Sequence, residues 1–120
     1  MRIVLVEAEG VALHKVEEHH LEKIRAVDPR VEAVLVSSAD QEEINRQLAD
    51  AEVLAGTLWA IPPLTNVRDL KWIHSFSAGV DRVLTPEVKA SDVLVGNCSG
   101  IHAIPIAEHI LGFMLMFTRK

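Results

Sequence analysis

Residues Trp72 to Asp81 read WIHSFSAGVD. Two apolar residues, Trp72 and Ile73, lead into small ones, Ser75, Ser77, Ala78 and Gly79, followed by Val80 and Asp81. This is the pattern of a short buried strand that ends in a turn. Small residues there leave backbone N–H groups facing open space, and glycine accepts positive φ or the close approach of another molecule. Converging N–H groups form a concavity that binds anions. The stretch is a candidate clamp for a small carboxylate or phosphate. The competing reading is an ordinary strand-to-helix turn.

The flanking chain repeats the strand signal at intervals. Ile3 to Val6 is a continuous apolar run, as in a strand buried on both faces. Val11 to Val27 carries Val16, Leu21, Ile24 and Val27 among charged residues, which predicts an amphipathic helix ended by Asp28-Pro29. Val31 to Val36 reads as a second strand. A helix is expected from Ala39 to Asp50, with Ser38 as N-cap, Gln41 completing a capping box, and Ile44 and Leu48 as its apolar stripe. Glu52 to Ala55 is a third strand closed by Gly56. Thr57 to Pro63 is a loop containing Trp59, and Leu64 to Leu70 has room for a helical turn. Trp72 to His74 is the fourth strand, Pro86 to Ala90 a helical turn, and Val93 to Val95 the fifth strand. No hairpin signals join these strands. Alternating strands and helices predict βαβ units and an α/β fold with a parallel five-stranded sheet. The natural order is flavodoxin-like, 2-1-3-4-5. Ligands of such sheets bind beyond the carboxyl ends of the strands. Trp59, the Ser77-Ala78-Gly79-Val80 turn and Asn97 all fall there and are the candidate small-acid site.

Composition narrows the classes. The chain has 120 residues, one domain's worth, and its 49% hydrophobic content suits a core-forming globular domain. A net charge of −5 without a basic patch argues against nucleic acid. Cys98 is the one cysteine, so no internal disulfide forms, and a reducing cytoplasmic setting is expected. The N-terminal apolar run is too short for a signal peptide, and no segment has the roughly 18 apolar residues of a membrane span.

Ala103 to Lys120, AIPIAEHILGFMLMFTRK, breaks the one-domain pattern. Pro105 suits the first turn of a helix, and Arg119 and Lys120 suit its end. Between them apolar residues cover nearly the whole circumference. Such a helix needs covering on all sides, and this small sheet covers one. It is expected to pack against a second domain, a second subunit or both. The competing reading is a helix with one exposed greasy edge. Self-association through residues 103–119, as a homodimer with paired or exchanged helices, follows from the first reading.

The blocks LKWIHSFSAGVDRVLTPEV and VLVGNCSGIHAIPIAEHILGFMLMFTR resemble the D-isomer-specific 2-hydroxyacid dehydrogenases. Leu70, Lys71, Ile73, Ala78, Gly79, Val80 and Asp81 match the family's first motif. Asn97, Gly100, Ile106, Ala107, Glu108, Leu115 and Arg119 match its second. The last fifty residues match closely and the first seventy by layout only. The resemblance implies an NAD- or NADP-dependent oxidoreductase acting on a 2-hydroxy or 2-oxo acid. Residues 1–101 would be its substrate domain and 102–120 the helix leading to a dinucleotide-binding domain. It carries the carboxylate-binding role to Ser77, Ala78, Gly79 and Val80. It also sets Asn97 at the interdomain cleft and Ile106 near the nicotinamide. The family's G-x-G-x-x-G fingerprint is absent, as are its catalytic Arg, acidic residue and His in matching context. The chain therefore reads as the front piece of a dehydrogenase, inactive alone, with no tightly bound cofactor and no catalytic residue of its own.

Other groupings carry less. His19-His20 beside Glu17-Glu18 lacks a remote third ligand and reads as a solvated helix face, not a metal site. His109 is expected buried at a domain contact, His102 near the helix start, and His74 as a core or edge residue. Cys98 reads as an inert small residue. Asp81 is expected to cap or salt-bridge the turn after it. A stand-alone flavodoxin-like small-acid-binding or regulatory module is the alternative function. Its phospho-receiver form lacks the acceptor Asp, because Gly56-Thr57 follows the third strand, and its flavin form faces the acidic Glu7-Ala8-Glu9.

Overall fold

The computed structural model describes residues 1–10, 15–58, 64 and 67–119. Five strands form one sheet: β1 (Arg2–Glu7), β2 (Glu32–Ser37), β3 (Val53–Gly56), β4 (Trp72–Ser75) and β5 (Leu94–Asn97). All neighbours pair in parallel, in the order β2-β1-β3-β4-β5 expected from the alternation. Four helices occur among the described residues: α1 (Glu18–Arg25), α2 (Gln41–Leu48), α3 (Pro86–Lys89) and α4 (Ala103–Thr118).

Strand alternation sorts the core into two halves. Val4, Val6, Val36, Leu54 and Ile73 point to one face, where Ile44 and Leu48 of α2, Val88 of α3 and Val83 close over them. Leu5 and Ala33 point to the other face, against Val16 and Leu21 of α1.

Two helix starts differ from expectation. Residues 11–14 lie outside the described set, and Lys15 to Glu17 are not helical, so α1 begins at Glu18. The Glu7 carboxylate accepts the Val16 N–H at 2.9 Å and holds the approach to α1 in a non-helical path. The Glu17 N–H then donates to His20 Nδ1 at 3.0 Å, so His20 serves the helix start. In α2 the N-cap is Asp40, whose carboxylate accepts the Glu43 N–H at 2.9 Å. Ser38 instead accepts the Glu9 N–H at 3.2 Å and ties the β1 and β2 loops together. Of the helical turn expected over 64–70, Leu64 is in 3-10 conformation and its carbonyl accepts the Val67 N–H at 3.2 Å, while 65 and 66 lie outside the described residues.

α4 stands apart. None of its residues is buried. The Cα radius of gyration is 17.4 Å, against about 13.6 Å for a compact chain of this length. A projecting helix about 24 Å long accounts for the excess. No described helix is long and apolar enough to cross a membrane.

Candidate functional site

The carboxyl ends of β3, β4 and β5 carry the candidate site. Gly56 ends β3 at φ 145°, and a Cβ there would lie 2.1 Å from the Val6 carbonyl oxygen. Only glycine lets β3 run this close to β1. The Gly56 carbonyl in turn accepts the Phe76 N–H at 2.8 Å, which fixes where the chain leaves β4.

From Phe76 the chain bends through Ser77 and Ala78. Ser75, fully buried, accepts the Ser77 N–H on its hydroxyl at 3.2 Å. The Ser77 carbonyl accepts the Cys98 N–H at 3.2 Å. Asn97 donates its side-chain amide to the Ala78 carbonyl at 2.6 Å and accepts the Ser99 N–H at 3.3 Å. The bend is thus fastened to β5 at two successive carbonyls. Beyond it, Val83 and Leu84 donate their N–H groups to the Val80 carbonyl at 2.8 and 2.9 Å, with the Val83 side chain sealed in the core.

Between these anchors, the N–H groups of Ala78, Gly79 and Val80 have no hydrogen-bond partner among the described residues, and Ala78 and Gly79 are exposed. Successive free donors on a fixed turn are the raw material of an anion-binding concavity. The geometry refines the expectation in two ways. Ser77 belongs to the turn, but its N–H is engaged, and the run of donors without a partner among the described residues extends from Ala78 to Asp81. Gly79 is not at positive φ, and a Cβ there would meet only Asp81 Oδ2, at 4.0 Å. Glycine at 79 therefore serves open access and not backbone strain.

The other candidates fall in different places. Asn97 comes to the turn as a strut. Ile106 lies on exposed α4. Trp59 lies outside the described residues. His74 sits between Trp72 and Phe76, with ring centroids 5.3 and 6.1 Å away, and its Nε2 is 3.8 Å from Cys98 Sγ. His109 is exposed in one copy of this chain, with the Phe113 ring at 4.4 Å, on the helix face where a domain contact is expected. His102 occupies the α4 N-cap position without capping it through its side chain. No group of three or more His, Cys, Asp or Glu able to hold a metal ion occurs among the described residues. One residue escaped the sequence reading. Thr57, next after β3, is buried, and its hydroxyl has no partner among the described residues. A threonine in a loop carries no sequence signal for that.

Electrostatics cluster at the opposite end of the sheet. The Lys71 ammonium lies 2.6 Å from the Glu52 carboxylate, holding that carboxyl below its ordinary range and the lysine above its own. The candidate site holds no such pair among the described residues and relies on backbone dipoles.

No significant match occurs among curated proteins or solved structures. Residues 4–117 match the family model of the D-isomer specific 2-hydroxyacid dehydrogenase catalytic domain. With nearly its whole length matched, the chain belongs to the D-isomer specific 2-hydroxyacid dehydrogenases, as a catalytic domain of that family.

Proposed function

We propose that the Ala78-Gly79-Val80 turn receives the carboxylate of a 2-hydroxy or 2-oxo acid. In this reading residues 1–101 are the substrate-binding domain of an enzyme that moves a hydride between NAD or NADP and C2 of that acid. The observation that carries the reading is the run of unpartnered N–H groups that includes Ala78, Gly79 and Val80, on a turn fastened through the Ser77, Ala78 and Val80 carbonyls. Fixed donors orient the acid so that its C2 faces the cofactor, and orientation of this kind is a large part of rate enhancement. Asn97 is a positioning residue in this scheme, because it reaches the turn through the Ala78 carbonyl.

The residues present do not fit a dinucleotide. The six glycines, at 10, 56, 79, 96, 100 and 112, nowhere have the G-x-G-x-x-G spacing that cradles a pyrophosphate. Cofactor binding is therefore assigned to a separate dinucleotide-binding domain, reached through residues 102–120, with Ile106 as this chain's apolar contact near the nicotinamide. The greasy helix gives the homodimer contact. On their own, residues 1–120 bind and orient an acid without turning it over.

Gly79→Ala tests the reading. The free chain has room for the methyl group, so folding stability stays within about 1 kcal/mol of the parent. A carboxylate seated on the turn needs that space, so glycolate affinity falls at least tenfold. Unchanged glycolate affinity in Gly79→Ala would overturn the assignment.

A further inference from the structure

Two polar side chains are buried among the described residues, Thr57 and Ser75, and Ser75 is fully enclosed at 0% exposure. Side chains alternate along a strand, so Ser75 shares the face of Ile73, where the larger core cluster lies. An alanine there would fill nearly the same space with no hydroxyl to bury. A hydroxyl in an apolar interior is costly unless it is hydrogen-bonded. Ser75 bonds to the chain just beyond its own strand, where its oxygen accepts the Ser77 N–H at 3.2 Å.

Strand register places this bond in a set. Gly56, Ser75 and Asn97 are the last residues of β3, β4 and β5, and they stand side by side across the sheet. Each sends one group to the chain leaving β4. The Gly56 carbonyl accepts the Phe76 N–H, the Ser75 hydroxyl accepts the Ser77 N–H, and the Asn97 amide donates to the Ala78 carbonyl. Gly56 acts through its backbone, and Asn97 engages a carbonyl and takes up no donor of the turn. Ser75 is the member whose side chain removes a donor. The free N–H groups therefore begin at Ala78 and not one residue earlier.

We infer that Ser75 is a positioning residue, which fixes the pose of the bound acid by closing the Ser77 N–H to it. Fully enclosed, Ser75 acts through that N–H and does not touch the acid. A carboxylate spreads its two oxygens over neighbouring donors. With the Ser77 N–H free, the acid would have a second seat, one residue closer to β4, and its C2 would turn with it. Hydride transfer needs one orientation, and a displacement of about 1 Å costs about a hundredfold in rate. Closing the nearer seat keeps the acid in the farther one. That exclusion explains why a polar side chain is buried where an apolar one would pack more cheaply. The role rests on the carboxylate reading of the turn and adds the residue that sets where its donors start.

Glycolate titrations of the nitrogen-15-labelled parent, Ser75→Ala and Ser75→Thr, read by amide NMR, test it. Alanine fits the space, so Ser75→Ala keeps the parent's circular dichroism. In the parent the Ser77 amide stays nearly still while those of Ala78, Gly79 and Val80 move. In Ser75→Ala the Ser77 amide is expected to join their saturable curve, with a shift as large as that of Ala78. Ser75→Thr keeps the hydroxyl, so its Ser77 amide is expected to be still again. Amide exchange of the parent without ligand gives a second measurement that needs no variant. There Ser77 is expected to exchange about tenfold more slowly than Ala78 and Gly79. A still Ser77 amide in Ser75→Ala, a moving one in Ser75→Thr, or exchange at Ser77 as fast as at Ala78 would overturn the role of Ser75 and leave the carboxylate reading standing. No movement at Ala78, Gly79 and Val80 in the parent would overturn both together.

Discussion

A methyl group on Gly56 would enter the van der Waals shell of the Val6 carbonyl, and the backbone there, at φ 145°, suits no other residue. Gly56→Ala must push β3 away from β1 or abandon its conformation. The expected cost is about 3 kcal/mol or more, read as a lowered denaturation midpoint. The same shift moves the Gly56 carbonyl that holds Phe76, so any protein that still folds should bind glycolate more weakly. A fully stable Gly56→Ala with parental binding would contradict this account of the β3 end. The contrast with Gly79 is informative. Gly56 ends β3 and Gly79 lies in the turn after β4, and the two look alike in sequence. Gly56 is required by the protein's own backbone, and Gly79 leaves open space that the proposed ligand would fill. Sequence placed Asn97 at a strand end but could not reveal that its amide reaches Ala78, because the partner lies 19 positions away.

At the level of elements, the strands were legible because each is a run of apolar residues. In a parallel sheet covered on both faces such runs need no polar partners. The limits of α1 and α2 were less legible. Ser38 and Asp40 both favour N-caps, and the choice falls to Asp40 because Ser38 is held by the Glu9 N–H. Val16 carried the apolar period of a helix, yet it is buried just ahead of α1, held there by Glu7. Long-range bonds of this kind leave no trace in local periodicity. α4 was the most legible helix, since an all-round apolar surface announces itself, and the structure leaves that surface uncovered. The carboxylate turn was readable as small residues after a strand. Its free donors depend on fastenings to β5 and to Ser75, which no local pattern contains.

The whole molecule separates its charge pair from its site. Glu52 joins Lys71 and the N-terminal ammonium at the amino ends of the strands. Its carboxyl is held below its ordinary value of 4.5, mainly by the hydrogen bond from Lys71. The folded state therefore gains stability that is present above about pH 4.5 and lost as the pH falls through the lowered value. Lys71 is raised above its ordinary 10.5, so its share is present below that pH and lost on further rise. Glu52→Gln should flatten the acid limb of a stability-against-pH curve and leave glycolate binding at neutral pH unchanged. An acid limb as steep as the parent's would remove Glu52 from the explanation. The proposed acid-binding turn, by contrast, offers neutral backbone donors and should be insensitive to that substitution.

The most direct test of the carboxylate turn is a glycolate titration of the nitrogen-15-labelled chain, followed by backbone amide NMR. Ethylene glycol, which lacks the carboxylate, is the control. The amide protons of Ala78, Gly79 and Val80 should move downfield together along one saturable curve with glycolate alone. Ser77, its N–H already given to Ser75, should move far less. No saturable movement at these three amides, movement centred on another part of the chain, or an equal response to ethylene glycol would contradict the carboxylate-binding role of the turn.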